Sequence, residues 1–188
     1  MSHKVFIVFA DPVLFPAAMP YGAMIVNEAL HWRGIDSQIL FPFMHKNPVA
    51  CLLSGIERLA PAVIGFSFRN LDTAGFHYRS DGEQHFLGAL KGLVSAAKQS
   101  TAITVLGGPG FSIAPVKILE ATGADIGFVG PSEEEFSLFC HRIINEQKQI
   151  TAASENLKSA VLPGCVSPQD APAPQKLHKI RFFQFVWS

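Results

Sequence analysis

Over about its first 145 residues the chain switches repeatedly between two patterns. One is a short run that is apolar at nearly every position. The other is a longer stretch whose apolar residues return every three or four places. Val5-Phe6-Ile7-Val8-Phe9-Ala10 is the first run, and continuous apolar character is what a strand buried on both faces of a parallel sheet needs. Ser37–Phe41, Ala62–Ser67, the run that starts at Ile103 and Ile126–Val129 repeat it. Helical spacing fills the gaps. Tyr21–Arg33 stops at Gly34, and Val49, Leu52, Leu53, Ile56 and Leu59 recur at helical intervals before Pro61. A helix from Ser80 carries Phe86, Leu90, Leu93, Val94 and Ala97 on its inner face, and another starts at about Ala114 and closes near Gly123. A last one turns Phe136, Phe139, Cys140, Ile143 and Ile144 inward. Ser80 with Glu83, and Ser132 with Glu135, have capping-box spacing at two of these starts.

Strands alternating with helices predict an α/β domain: a doubly wound, parallel five-stranded sheet in a three-layer, Rossmann-like α/β/α arrangement. Right-handed crossovers leave few windings, and the flavodoxin-like order 2-1-3-4-5 is the natural one. Beyond Gln147 the pattern fails. Residues 1–147 therefore read as the domain. Residues 148–188, interrupted by Pro163, Pro172 and Pro174, read as a linker and tail with room for a short strand pair. The aromatic end, Ile180-Arg181-Phe182-Phe183-Gln184-Phe185-Val186-Trp187-Ser188, has two readings. It is a chain cut short or docked on something absent, or a terminal strand covering an exposed patch.

Composition narrows function more than fold. Hydrophobic residues are 48% and charged ones 16% of 188, which excludes a disordered chain and allows a real core. Lys+Arg and Asp+Glu balance at 15 each, so there is no electrostatic case for nucleic acid or an anionic membrane. No apolar run reaches a membrane span and no signal-peptide pattern follows Met1. Cys51, Cys140 and Cys165 are few, odd in number and too far apart for a zinc or iron–sulfur motif, which fits a reducing cytoplasm.

In parallel α/β sheets ligands gather beyond the carboxyl ends of the strands. A P-loop needs Gly-Lys-Ser/Thr after its first strand, and a dinucleotide site needs Gly-x-Gly-x-x-Gly there. The first loop here is Asp11-Pro12-Val13-Leu14-Phe15-Pro16, with no glycine before Gly22 and none of the hydroxyls of a flavodoxin phosphate loop. A phospho-receiver aspartate is missing too, since Ser67 ends the third strand. An apolar first loop suits a large, partly hydrophobic ligand. The other strand ends carry Ser67-Phe68-Arg69-Asn70, Gly107-Gly108-Pro109-Gly110 and Gly130-Pro131-Ser132-Glu133. Glycines in such places either turn the chain or let a ligand come close.

These three motifs, in this order, resemble the cobalamin (B12)-binding domain. More narrowly they resemble the N-terminal domain of class B, cobalamin-dependent radical SAM enzymes. Those chains commonly show a Ser-Leu/Phe-Arg-Asn turn, a Gly-Gly-Pro turn and a Gly-x-x-Glu-x-x-Phe helix start, whose spacing Gly130, Glu133 and Phe136 keep. Leu162-Pro163-Gly164 resembles the family's linker towards its catalytic barrel. The resemblance implies base-off cobalamin, its nucleotide tail lying across the carboxyl edge. It implies close approach at Gly107, Gly108, Pro109 and Gly110, and donation to the tail or its base from Ser67, beside Phe68. It also implies contacts from Arg69 and Asn70 to corrin amides or phosphate, and amide or phosphate binding at Gly130, Ser132 and Glu133. Plainer readings stay open: Ser132 and Glu133 capping a helix, and Arg69 pairing with Asp72.

The chain also departs from the family. The classical Asp-x-His-x-x-Gly loop, whose histidine ligates cobalt, is absent after strand one. His31 falls inside a helix and His45 and His77 in loops, so no metal ligand is assigned. The Cys-x-x-x-Cys-x-x-Cys triad is absent as well, so neither a 4Fe-4S nor an S-adenosylmethionine site, nor a catalytic residue, is expected in this chain. The expectation is a cobalamin-binding module, part or remnant of a B12-dependent radical SAM enzyme such as a methyltransferase, with a radical SAM catalytic domain or chain as partner. Two alternatives stand beside it. One is a small nucleotide- or flavin-binding protein; the other is an inactive regulatory partner docking through Phe182, Phe183, Phe185 and Trp187.

Overall fold

The structure, a computed structural model, describes residues 4–12, 19–70, 82–146 and 165–166. Five strands, β1 (Lys4–Phe9), β2 (Asp36–Leu40), β3 (Val63–Ser67), β4 (Ile103–Gly107) and β5 (Ile126–Phe128), run parallel in the predicted order 2-1-3-4-5. A two-residue strand, β6 (Cys165–Val166), lies antiparallel on β5 and pairs Cys165 with Phe128. Part of the segment read as tail thus joins the same sheet. The helices are α1 (Tyr21–Trp32), α2 (Pro48–Leu59), α3 (Gly82–Ala97), α4 (Pro109–Ile113), α5 (Pro115–Thr122) and α6 (Glu133–Glu146). Among the described residues no helix is long and apolar enough to cross a membrane.

Alternation along each strand feeds two separate cores, which is why the strands are apolar throughout. Val5, Ile7, Val63, Val105 and Phe128 pack against α1 and α6. Phe6, Val8, Ile64, Phe66 and Leu106 pack against the helices of the opposite face. The inner stripe of α3 is buried as its spacing requires, and so are Phe136, Phe139, Cys140 and Ile143 of α6, with Ile144 half-buried beside them. Val49 departs from its expected stripe and is exposed. Helix α2 meets the sheet instead through Leu52, Gly55 and Ile56, with the Phe6 ring seated against Gly55.

The largest local departure follows β4. Helix was expected only from about Ala114, but the chain enters α4 at Pro109, breaks at Ala114 and resumes as α5 at Pro115. Proline suits a first helical position because its missing N–H has no intrahelical partner there. The same ring pushes the preceding residue out of the helical region, so Pro115 divides one helix into two. The predicted start at Ser80 lies outside the described residues. At the start of α6 the Ser132–Glu135 box is not closed; the bond made is from the Phe136 N–H to the Ser132 carbonyl (2.9 Å).

One polar cluster locks β4 to β5. Thr104 is completely buried, and both its N–H (2.9 Å) and its hydroxyl (2.7 Å) donate to Asp125 Oδ2. Burial alone pushes the Asp125 carboxyl up, but bonds from the Lys98 ammonium and from Thr104 outweigh it and hold the group below its ordinary 3.8. A depressed carboxylate stabilises the fold above its unfolded value, and that contribution is lost as pH falls through the native one. Asp125→Ala should therefore cost about 1–3 kcal/mol at pH 7, since it orphans Thr104. In urea titrations across pH, the gap between variant and wild type should narrow as pH falls below about 4, where the carboxylate is protonated, and keep the part due to the orphaned Thr104.

Candidate ligand-binding site

Strand register aligns two rows across the middle of the sheet: Ile7–Gly65–Val105 and, nearer the carboxyl ends, Phe9–Ser67–Gly107. Two-residue spacing puts both rows on the face that packs α1 and α6. Along the outer row the side chain shrinks from a ring to a hydroxymethyl to a hydrogen, so the sheet presents a hollow over β3 and β4. A cavity of about 710 Å³ opens there, within the range of small-molecule sites. Ala23 and Val26 of α1 form one wall, and Phe128 of β5 and Phe136 of α6 form the other. At the deep end a Cβ on Gly65 would stand 3.0 Å from Phe136 Cζ, so that ring covers the glycine. Phe136 meets Phe128 edge-on at 5.8 Å. The rim between the third and fifth strands is therefore open, not plugged by described side chains.

The glycines after β4 serve different ends. A Cβ on Gly107 would meet nothing nearer than the Phe128 carbonyl oxygen at 3.9 Å, so its missing side chain is part of the cavity. Gly108 has φ +100°, and a Cβ there would fall 2.6 Å from the Phe68 carbonyl oxygen. A Cβ on Gly110 would lie 2.9 Å from backbone atoms of Arg69 and Asn70. The Phe68 N–H donates to the Gly107 carbonyl (2.8 Å), and the Gly110 N–H donates to the Phe68 carbonyl (3.0 Å). Gly108 and Gly110 thus let the chain's own backbone close up where β3 and β4 end. Of the residues singled out from sequence, Ser67, Arg69, Gly107, Gly108, Pro109, Gly130, Ser132 and Glu133 line the cavity. Phe68 is buried in the opposite core, and Phe68, Asn70 and Gly110 support the edge from behind.

Polar groups collect at the mouth. The Ser67 hydroxyl, half-buried in the outer row, makes no hydrogen bond among the described residues. The Ser112 hydroxyl donates to the Gly108 carbonyl (3.0 Å) and accepts the Gly130 N–H (2.9 Å), joining the two glycine turns. Arg69 pairs with Asp11 (3.2 Å) rather than with Asp72, which lies outside the described residues. The Asp11 side chain is 1% exposed and that of Arg69 39%, so the carboxylate sits beneath a guanidinium at the opening. Glu133, Glu134 and Glu135 fill the first turn of α6. They favour that helix end but repel an anion brought to it. Among the described residues Arg69 is the one cation lining the cavity, and it is already paired, which does not suit a polyphosphate. His31 and His45 are exposed and neither lines the cavity; His77 lies outside the described residues. Among the described residues no group of three metal-ligating side chains forms. Burial pushes the Cys140 thiol well up, so that sulfur is packing.

Sequence reasoning passed over Asp11, Ser112 and the α1 wall as site residues. The wall did have a signal: Tyr21, Ala23, Met24, Ile25 and Val26 make the first turns of α1 apolar on every side, more than one packed face needs. Met19 and Tyr21, at the mouth, remain 59% and 66% exposed.

Fold and site together define a Rossmann-like α/β domain with an apolar, cofactor-sized cavity at the carboxyl edge of its sheet. The chain matches no family model. It is 27% identical over 123 residues to the tryptophan 2-C-methyltransferase of Streptomyces laurentii, covering 64% of this chain and 20% of that enzyme. Structures of the radical S-adenosylmethionine methyltransferase TsrM from Kitasatospora setae match with a TM-score of 0.68 at 26% identity. They cover 77% of this chain and 25–26% of TsrM. One has cobalamin and a [4Fe-4S] cluster bound, another tryptophan and an S-adenosylmethionine analogue. The chain is homologous to TsrM at low identity and spans about a fifth to a quarter of the length of these relatives.

Proposed function

We propose that this chain is a cobalamin-binding module of the kind carried by radical SAM methyltransferases, with residues 1–147 as the binding domain. The observation that carries the reading is the hollow at Ser67 and Gly107, opening on the α1–α6 face. It is a cradle that a side chain at 107 would fill, apolar within and polar at its mouth, as a corrinoid's apolar base and amide-fringed ring require. Ser67 offers a hydroxyl with no partner among the described residues to the nucleotide tail, and Gly107 leaves room for it. Arg69, steadied by Asp11, faces carbonyl or phosphodiester oxygens at the opening. Cobalamin in such enzymes supplies a cobalt that carries a methyl group; the S-adenosylmethionine chemistry belongs to another domain or chain. The similarity to TsrM supports the same reading.

Titrating the purified chain with hydroxocobalamin tests it. Binding should shift the visible spectrum with saturation at one equivalent, and corrinoid and protein should co-elute from a sizing column. No spectral change and no co-elution end the proposal. Thermal stabilisation by ATP or FMN, with none by cobalamin, would favour a nucleotide or flavin site instead.

A further inference from the structure

Resting on the cobalamin reading, we infer that Asp11 is a positioning residue that sets the charge of the cavity mouth, so that the mouth takes a corrinoid with an amide fringe over one carrying free carboxylates. Strands β1 and β3 pair Phe9 with Ser67, so Asp11 and Arg69 each stand two residues past that pair. The Ala10 N–H donates to the Ser67 carbonyl (3.1 Å), which fixes the two strand ends side by side. The Arg69 backbone is hemmed in as well, by Gly110, whose Cβ would come within 2.9 Å of it. Its guanidinium donates one N–H to Asp11 (3.2 Å) and makes no other hydrogen bond among the described residues. The Asp11 side chain is 1% exposed, so water screens its charge little and the guanidinium above feels most of it.

Among the described residues the charged side chains lining the cavity are Arg69 and Glu133, one of each sign. Asp11, beneath Arg69, turns that balance into a net negative opening, and Glu134 and Glu135 deepen it from the same helical turn. Arg69 is thereby left as a hydrogen-bond donor rather than an anion site. The carbonyl oxygen of an acetamide or propionamide accepts such a bond and brings no charge. A carboxylate in its place would accept the bond too, but against the like charges of Asp11 and Glu133. Like charges facing one another across a contact are what excludes the wrong ligand.

Absorbance titration of the full chain at neutral pH and low salt, with hydroxocobalamin and with its monocarboxylic acids, made by hydrolysing one propionamide, tests this. The phosphodiester is common to both ligands, so the ratio of affinities reports the fringe alone. Wild type should bind hydroxocobalamin about threefold to tenfold more tightly than the acids. Asp11→Asn, which keeps the shape and an oxygen for Arg69 but not the charge, should bring the two towards parity. Glu133→Gln, on the half-buried rim, should act in the same direction, and it decides the matter should Asp11→Asn melt early in a thermal scan. Equal affinity in wild type, or a preference that survives both substitutions, overturns selection by charge while leaving the module reading intact. An equal loss of affinity for both ligands in Asp11→Asn overturns it too, and marks the pair as a staple between strand ends. Binding of neither ligand removes the proposed function itself.

Discussion

Gly107→Leu should weaken cobalamin binding by about 10–100-fold, the equivalent of roughly 1–3 kcal/mol of overpacking moved into the ligand site. The chain itself should tolerate the change. Gly107 ends a strand, its φ is not in the left-handed region, and a Cβ there touches only one atom, at 3.9 Å. A branched apolar residue also suits a strand better than glycine does. The melting temperature should therefore stay within about 3 °C of wild type. Fluorescence or absorbance titration beside a thermal scan checks both halves. Unchanged affinity in a folded variant means that the ligand lies elsewhere.

Gly108→Ala should do the reverse, one residue along. At φ +100° and ψ 169° the backbone is in a region open essentially only to glycine. The new Cβ would also press on the Phe68 carbonyl at 2.6 Å, and that is backbone already held by Gly110. Strain and displacement together should cost about 3 kcal/mol, or roughly 6–12 °C in melting temperature for a chain of this size. Urea denaturation gives the free energy directly. Loss of less than about 1 kcal/mol would mean that the turn can rearrange, and the division of labour among these glycines would be wrong. Two adjacent glycines, identical in the sequence, are thus expected to fail in opposite ways. One is empty space for a ligand, and the other is clearance for the chain.

That contrast marks where the sequence stops being legible. The strands could be read because both faces of the sheet are covered, so Val5 to Ala10 had to be apolar throughout. The stripes of α3 and α6 could be read because Phe86, Leu90, Val94 and Phe136, Cys140, Ile143 keep a strict helical interval. Helix α4 could not. Gly-Pro-Gly has the local preference of a turn, and what makes it helical is distant: the Gly110 bond to Phe68, and the Phe111 ring lying where a Cβ on Gly127 would come within 2.1 Å. Strand β6 is two residues long and exists through its pairing with β5, which no periodicity records. Arg69 shows the same limit. Asp72 was the near candidate in sequence, while its actual partner Asp11 is 58 positions away.

The site was legible in outline and not in shape. Motifs at three strand ends pointed to the edge of the sheet where the cavity opens, and the similarity to TsrM agrees with the family they resemble. That Ser67 and Gly107 share a row with Phe9 follows only from register, and register is a property of the folded sheet. Without it, the hollow, the apolar floor beneath it and the α1 wall beside it are scattered residues.

The central claim is that a corrinoid's base leaves cobalt and enters the cavity between α1 and α6. Electron paramagnetic resonance of cob(II)alamin bound to this chain measures that step most directly, because a base still on cobalt splits the cobalt lines through its nitrogen. The nitrogen splitting seen for free cob(II)alamin should disappear on binding and return in Gly107→Leu. A bound species that keeps the splitting in the wild-type chain would contradict it.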